Sequence, residues 1–121
     1  TGDGSFTMNM NELKTAVDHN IKTTTIILNN HTLGMVRQWQ NLLYNKRFSQ
    51  TDINHSFDYV KLAEAFGAKG YSCKTVDEFK AAFADSQKQD GPVIIEVLID
   101  QDELVLPMIP AGGTVEDIIM E

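Results

Sequence analysis

Two short apolar runs constrain the fold of this chain more than any other feature. Val93–Ile99 is the clearest strand in the sequence, and Thr25–Leu28 is a β-branched run bounded by Asn29 and Asn30. Apolar runs of this length are typical of parallel strands that are buried on both faces. We therefore predict an α/β fold with three layers, in which a parallel sheet carries helices on both faces.

Helical spacing, capping residues and glycines predict the other elements. Gly67 is a usual residue after a helix end, and Thr75 with Glu78 matches a capping box that starts a helix. Residues 46–55 show no period and are predicted to be a mobile loop. We predict helices at residues 8–20, from Gly34, at Phe57–Phe66 and after Thr75, a strand at Ala68–Lys74, and a last helical turn at 114–120.

The composition is that of one globular domain with an acidic surface. The chain has 121 residues, of which 42% are hydrophobic and 22% charged, and its formal net charge is −7. An acidic chain lacks the clustered cations that bind nucleic-acid backbones, so we predict no nucleic-acid partner. The single cysteine, Cys73, excludes an internal disulfide and a cysteine-based metal cluster. No apolar stretch approaches the about 18 residues of a membrane span, so we predict no membrane partner.

The motif Gly2-Asp3-Gly4 and the pair Asn29-Asn30 carry the clearest functional signal. A carboxylate between glycines and an amide after a strand offer oxygen ligands for a small hard cation such as Mg²⁺. The glycines allow the backbone to approach a phosphate closely. Ligands of open α/β sheets bind at the carboxyl ends of strands, where both halves of the motif are expected. Each half is also common as a plain turn or strand end.

The first residue is Thr1, and the glycine motif follows without a strand that leads into it. We therefore expect a piece cut from a longer chain, which could have lost a targeting segment. We expect the protein to be located in the cytoplasm.

The pair of motifs resembles the diphosphate-binding motif of thiamine diphosphate enzymes. Three stretches narrow the resemblance, and they are Gly2–Phe6 (GDGSF), Leu33–Gln40 (LGMVRQWQ) and Val105–Gly113 (VLPMIPAGG). In order and spacing they resemble the C-terminal part of the catalytic subunit in the acetolactate synthase (acetohydroxyacid synthase) family. The likeness covers residues 1–121, which would be the C-terminal part of the thiamine-diphosphate domain, truncated at its N-terminus, and about the last fifth of a subunit.

The resemblance implies a reaction and its cofactors. Members of the family use thiamine diphosphate and Mg²⁺ to decarboxylate pyruvate and condense it with a second 2-oxoacid, pyruvate or 2-oxobutyrate. The products are 2-acetolactate or 2-aceto-2-hydroxybutyrate, on the route to branched-chain amino acids. FAD binds a middle domain of the full-length protein, and the catalytic glutamate belongs to a partner subunit. The resemblance thus implies a homo-oligomer, possible regulation by a small subunit, no catalytic residue in this chain, and no activity of the chain alone.

The resemblance also assigns residues to the cofactor. Asp3, Asn30 and the backbone carbonyl of Thr32 are expected to ligate Mg²⁺. The full predicted set of cofactor-binding residues is Gly2, Asp3, Gly4, Ser5, Asn30, Thr32, Gly34 and Met35. Backbone N–H groups near the start of the first helix would favour the negative charge of the diphosphate.

Substrate residues are assigned in the same way. Met35 is expected near the thiazolium ring, and Trp39 is expected to form the wall that selects the second 2-oxoacid. Without the resemblance, both would be read as core residues at helical spacing. Ala111 and Gly112 are expected at the mouth of the active-site channel, where many family members have serine in place of Ala111. Arg37 is expected to be exposed and without a functional role.

Two other functions remain open from the sequence. The first is another thiamine diphosphate enzyme, a 2-oxoacid decarboxylase or lyase, against which the GMVRQWQ and LPM–GG stretches speak. The second is a noncatalytic module whose only activity is self-association.

Overall fold

The computed structural model describes residues 1–53 and 57–120. Three parallel strands form its sheet, and they are β1 (Thr24–Asn29), β2 (Lys69–Cys73) and β3 (Val93–Leu98). Their order is β1-β3-β2, so the strongest apolar run of the sequence lies in the centre. The helices of the described residues are α1 (Asp3–Met8), α2 (Glu12–Asp18), α3 (Gly34–Leu43), α4 (Tyr59–Phe66) and α5 (Val76–Ser86), with a 3-10 turn at Val115–Asp117.

Helices cover both faces of the sheet, which confirms the predicted three layers. One face packs on α1, α2 and α4, with a buried cluster of Leu13, Ile27, Tyr59, Ala63 and Ile94. The other face packs on α5, with a buried cluster of Cys73, Ala82, Val93 and Ile95. Alternate residues of β3 thus serve opposite cores, and each large apolar side chain buried here stabilises the fold by roughly 1.5–3 kcal/mol.

The helix predicted at residues 8–20 is wrong in its bounds, because two short helices occupy the region. α1 already begins at Asp3, and α2 begins at Glu12. Thr7 Oγ1 donates to the Gly4 carbonyl at 2.9 Å, and the Asn9 N–H donates to the Phe6 carbonyl at 3.2 Å. Asparagine competes with the helix for local hydrogen bonds, so the break falls in the stretch from Asn9 to Asn11.

The glycine motif is therefore a helix start rather than an isolated turn. Thr1 and Gly2 pair with β1 in parallel. The Leu28 N–H donates to the Thr1 carbonyl at 2.9 Å, and Gly2 forms a bridge with Leu28. This pairing places Asp3 beside the carboxyl end of β1.

The predicted end of α4 and the predicted start of α5 are confirmed, whereas α4 begins at Tyr59 and not at Phe57. Gly67 ends α4 with φ 87°, a left-handed conformation that suits glycine. A Cβ on Gly70 would lie 2.9 Å from the Val60 Cα, so the glycine lets α4 pack closely on β2. The Glu78 N–H donates to Thr75 Oγ1 and the Glu78 carboxylate accepts from the Thr75 N–H, both at 3.2 Å, which is the predicted capping box.

The segment after α3 forms no helix or strand over residues 46–53, as predicted, but hydrogen bonds hold it in place. The Thr51 carbonyl accepts from the Leu33 N–H at 2.8 Å and from Thr32 Oγ1 at 2.9 Å. Residues 54 and 55 of the predicted loop lie outside the described residues. The predicted last helical turn is shortened to the 3-10 turn, next to an antiparallel bridge between Met108 and Ile119. Among the described helices, none is long and apolar enough to cross a bilayer.

Candidate cofactor site

A groove of about 610 Å³ opens at the carboxyl end of β1, between the starts of α1 and α3. Its opposite wall is formed by residues that follow β3, including Ile99 and Val105. All the residues predicted to bind the cofactor line this groove, and they are Gly2, Asp3, Gly4, Ser5, Asn30, Thr32, Gly34 and Met35. The fold therefore brings together two sequence motifs that are far apart along the chain.

Asp3 is the buried acid of the groove. The residue is 4% exposed, and its carboxylate has no hydrogen bond or ion pair among the described residues. The Tyr59 hydroxyl donates to its backbone carbonyl at 3.3 Å. Burial, together with the nearby charges of Asp3 and Glu96, raises the pKa of Tyr59 to about 12. Asp3 lines the groove, where a bound cation would neutralise the negative charge of its carboxylate.

The turn after β1 presents two further oxygens. Asn30 Oδ1 accepts a hydrogen bond from the Thr32 N–H at 3.2 Å, and an amide oxygen has a second lone pair to offer. The Thr32 carbonyl accepts no hydrogen bond from the described residues. The described chain holds no cluster of three His, Cys, Asp or Glu side chains, so a cation here would rely on one carboxylate with amide and carbonyl oxygens. Such oxygens suit Mg²⁺.

Both helix starts at the groove are uncapped. Neither Gly2 before α1 nor Leu33 before α3 provides a side-chain cap. Among the residues that line the groove, the backbone N–H groups of Gly4, Ser5, Gly34, Met35 and Val36 have no hydrogen-bond partner among the described residues. Free N–H groups and the positive end of the helix dipole together favour an anion such as a diphosphate.

A second pocket, of about 660 Å³, lies along the exposed face of α3. It is lined by Met35, Val36, Trp39, Gln40, Tyr44 and Arg47. Met35 lines both this pocket and the groove, whereas Trp39 lines only the pocket. Met35 is 50% exposed and Trp39 is 37% exposed, so neither is an ordinary core residue. Their substrate roles stay predictions.

Ala111 and Gly112 do not join these two sites. Both are exposed, and neither lines the groove or the pocket on α3. Their segment is tied to α3 upstream, where the Gln38 side chain accepts from the Val105 N–H at 2.8 Å and donates to its carbonyl at 3.1 Å. The channel-mouth role of the two residues stays a prediction.

The expected exposure of Arg37 is wrong. Its side chain is only 11% exposed and contacts Asp102 at 2.7 Å and Asp52 at 3.3 Å. The guanidinium also lies 3.9 Å from the centre of the Phe48 ring. Arg37 therefore links α3 to the segments that contain Asp52 and Asp102, which is a structural role.

Glu96, an acid in the middle of the most apolar strand, was not predicted to have a role at the site. It is 7% exposed and accepts hydrogen bonds from Asn29 Nδ2 at 2.6 Å and Ser72 Oγ at 2.7 Å. A charged residue within the run Val93–Ile99 was the signal available in the sequence.

Comparison with known proteins identifies the domain. Residues 1–97 match the family described as thiamine pyrophosphate enzyme, C-terminal TPP binding domain. The chain belongs to this family. Its thiamine pyrophosphate-binding domain is 41% identical over 121 residues to the acetolactate synthase large subunit of Haemophilus influenzae, which covers 99% of this chain and 21% of that protein. It is 40% identical over 114 residues to the acetolactate synthase isozyme 2 large subunit of Escherichia coli K12, covering 94% of this chain and 21% of that protein.

A similar relation holds to the mitochondrial acetolactate synthase catalytic subunit of Saccharomyces cerevisiae, with 41% identity over 118 residues, 98% of this chain and 17% of that protein. The chain thus spans about a fifth of the length of the curated relatives it matches. Over that part it is homologous to acetolactate synthases, which confirms the predicted family.

Two solved structures share the fold. The thiamine diphosphate-dependent 4-hydroxybenzoylformate decarboxylase of Rhodococcus jostii RHA1 superposes with a TM-score of 0.77 at 34% identity, over 85% of this chain and 19% of that one. The benzoylformate decarboxylase of Polynucleobacter necessarius gives a TM-score of 0.79 at 26% identity, over 88% of this chain and 20% of that one. The α/β architecture is therefore that of thiamine diphosphate enzymes.

Proposed function

We propose that this chain is the part of an acetolactate synthase large subunit that anchors the diphosphate end of thiamine diphosphate. The observation that carries the proposal is the groove at the carboxyl end of β1, because all the residues predicted to bind the cofactor line it. Membership in the thiamine pyrophosphate-binding family and the identity of about 40% to acetolactate synthases support it.

The residues of the groove divide the task by their chemistry. Asp3, Asn30 and the Thr32 carbonyl hold Mg²⁺, which neutralises the diphosphate. The free N–H groups at the starts of α1 and α3 bind the phosphate oxygens. When bound, thiamine diphosphate supplies the carbanion stabilisation that decarboxylation of a 2-oxoacid requires. The chain itself supplies binding and orientation.

The pocket on α3 holds the substrate, next to the thiazolium end of the cofactor. Met35, which lines both sites, lies where the groove meets this pocket. Trp39 offers a rigid apolar wall that favours 2-oxobutyrate over pyruvate as the second substrate, a preference for which one methylene is worth about 1–3 kcal/mol. In the complete enzyme, FAD binds to a domain outside this chain, and the catalytic glutamate comes from a partner subunit.

A thiamine diphosphate 2-oxoacid decarboxylase is the second candidate, and it is favoured by the two solved structures, which are both of benzoylformate-type decarboxylases. Acetolactate synthase is preferred because the relatives of that name are more similar, at 41% identity against 34% and 26%. In the complete enzyme, the product of pyruvate separates the two: acetolactate from a synthase, acetaldehyde from a decarboxylase.

Calorimetric titration of the chain with thiamine diphosphate, with and without Mg²⁺, tests the anchoring role. We expect binding that requires Mg²⁺ and is weak, because the groove holds only one end of the cofactor. No binding at millimolar cofactor with Mg²⁺ would contradict the proposal.

We expect the chain to self-associate in the cytoplasm and to make no acetolactate by itself. Beyond Thr1 and Gly2, no described residue pairs with the outer edge of β1, and the α3 face is exposed. Unpaired edges and apolar patches are association sites. Light scattering should give a dimer mass or more, and a monomer at tens of micromolar protein would contradict this expectation. Acetolactate from pyruvate with the chain, Mg²⁺ and thiamine diphosphate would show that the catalytic groups are already present.

A further inference from the structure

Glu96 stands out as a buried acid on the central strand. It faces the core that contains Ile27 and Ile94, and it lies beside Ser72 in the register of β2 and β3. Both carboxylate oxygens are used, one by Asn29 Nδ2 at 2.6 Å and the other by Ser72 Oγ at 2.7 Å. Burying a charge is costly, and a hydrophobic residue would often serve stability as well. The stability of the strand alone therefore gives no reason for an acid here.

The contact with Asn29 leads directly into the turn at the groove. Asn29 is 1% exposed, and its Oδ1 accepts a hydrogen bond from the His31 N–H at 3.0 Å. His31 has φ 56°, a left-handed conformation that few residues other than glycine adopt without support. On either side of His31 stand Asn30 and Thr32, which carry two of the three proposed Mg²⁺ ligands.

The order of contacts sets the orientation of the turn. Glu96 can accept from an N–H group and not donate, so it fixes the Asn29 amide with its nitrogen towards the strand and its oxygen towards His31. The reversed amide would lose both hydrogen bonds. The Asn29 oxygen then holds His31 in its left-handed conformation.

We propose that Glu96 is a positioning residue for the cofactor turn: through Asn29 it holds His31, and thereby orients the oxygens of Asn30 and Thr32 towards Mg²⁺ and the diphosphate. The proposal rests on the proposed function of the groove. Residues that support metal ligands in this way are worth about 10–100-fold in metal affinity.

The test combines amide hydrogen exchange, followed by NMR, with titration by Mg²⁺ and thiamine diphosphate, on three variants of the chain. Glu96→Met keeps the volume and removes both acceptors, so His31 exchange should accelerate at least about tenfold and cofactor affinity should fall about 10–100-fold. Glu96→Gln keeps an acceptor for Asn29 and should restore most of both. Ser72→Ala, the matched control, removes the other partner of Glu96 and should change neither.

Two results would overturn the proposal. One is wild-type His31 exchange and cofactor affinity in Glu96→Met, and the other is an equal loss in Ser72→Ala, which would indicate a general effect on the strand. If Glu96→Met does not fold, Glu96→Asp replaces it, because the shorter side chain withdraws the carboxylate from Asn29. If the wild-type chain does not bind the cofactor, the proposed function fails, whereas His31 exchange still decides whether Glu96 holds the turn.

Discussion

Strands β1 and β2 run in the same direction and end at the same edge of the sheet, yet the helices that follow them begin differently. After β2, Thr75 and Glu78 close the start of α5 with a complete capping box. After β1, Leu33 provides no cap, and the first N–H groups of α3 remain open towards the groove. One start serves the helix itself, and the other is open to a ligand.

The starts of α1 and α4 support the same distinction. The start of α2 also lacks a side-chain cap, but its first N–H groups are bonded to the preceding turn, as from Glu12 to the Asn9 carbonyl at 3.1 Å. α4, on the side of the sheet with α2, is capped by Asp58, whose carboxylate accepts from the Lys61 N–H at 2.9 Å. α1, at the groove, is uncapped and carries the buried carboxylate of Asp3. The starts of α1 and α3 meet at the groove with Asp3, whose carboxylate has no hydrogen bond or ion pair among the described residues. A site for a cation and an anion together requires such a combination.

The largest effect is expected from Asp3→Ala. This change removes the charged ligand, so Mg²⁺-dependent affinity for thiamine diphosphate should fall by about a hundredfold or more, since even the supports of metal ligands are worth about 10–100-fold. The melting temperature should change little, because no hydrogen bond or ion pair between this carboxylate and the described residues is lost. Calorimetric titration and thermal unfolding measure the two quantities.

Asp77→Ala is the matched control for Asp3→Ala. Asp77 lies in the first turn of α5, and its side chain is 94% exposed. Its removal should leave cofactor affinity unchanged. Equal affinities of wild type and Asp3→Ala would show that Asp3 is not a ligand.

A smaller effect is expected when the open start of α3 is closed. Leu33→Asp places a carboxylate at the N-cap, which should stabilise the helix by about 1 kcal/mol and weaken cofactor affinity about tenfold through repulsion and competition for N–H groups. Leu33→Asn caps without a charge and should weaken affinity less. Urea unfolding and calorimetry report the two effects, and tighter binding by Leu33→Asp would contradict an anion at this helix start.

At the capped start of α5, we expect a change in stability without a change in cofactor affinity. Thr75→Ala removes the cap of α5 and should cost about 1 kcal/mol of unfolding free energy. Cofactor affinity should not change, because the capping box lies outside the groove. Urea unfolding with a parallel titration checks both. A loss of cofactor affinity in Thr75→Ala would contradict the claim that only the uncapped helix starts bind the cofactor.

The last prediction concerns the pH dependence of stability, which Tyr71 of β2 affects without a change in cofactor affinity. Burial and a hydrogen bond to Asp85 raise the pKa of Tyr71 from 10.0 to about 12. Above about pH 10 the unfolded chain loses this proton first, so the stability that Tyr71 contributes is present below pH 10 and is lost as the pH rises to about 12. Tyr71→Phe should flatten that decline in the unfolding free energy while leaving cofactor affinity unchanged, and an equally steep decline would contradict the assignment.

Local sequence patterns were enough for much of this fold. The apolar run of β3, the glycine after α4 and the capping box of α5 are each decided by neighbouring residues, and each was predicted. The start of α1 was not, because Asp3 and Gly4 are poor helix formers and the start depends on the pairing of Thr1 with β1.

In the site, too, some residues could be predicted from local patterns and others depend on distant contacts. The ligands Asp3 and Asn30 could be proposed from two motifs, because parallel strands carry their carboxyl ends to one edge, whereas the Thr32 carbonyl was implied by the family resemblance. The roles of Arg37 and Glu96 could not, since their partners lie far along the chain, as in the pairs Arg37–Asp102 and Glu96–Asn29. Contacts of this kind follow from the tertiary fold and leave no periodic signal.

A crystal structure of the chain with thiamine diphosphate and Mn²⁺ in place of Mg²⁺ tests the central claim most directly, because manganese is located by its anomalous scattering. We expect one anomalous peak in the groove, about 2.0–2.3 Å from the Asp3 carboxylate, Asn30 Oδ1 and the Thr32 carbonyl, with the diphosphate against the starts of α1 and α3. A cofactor bound elsewhere, or a metal that does not touch Asp3, would contradict it.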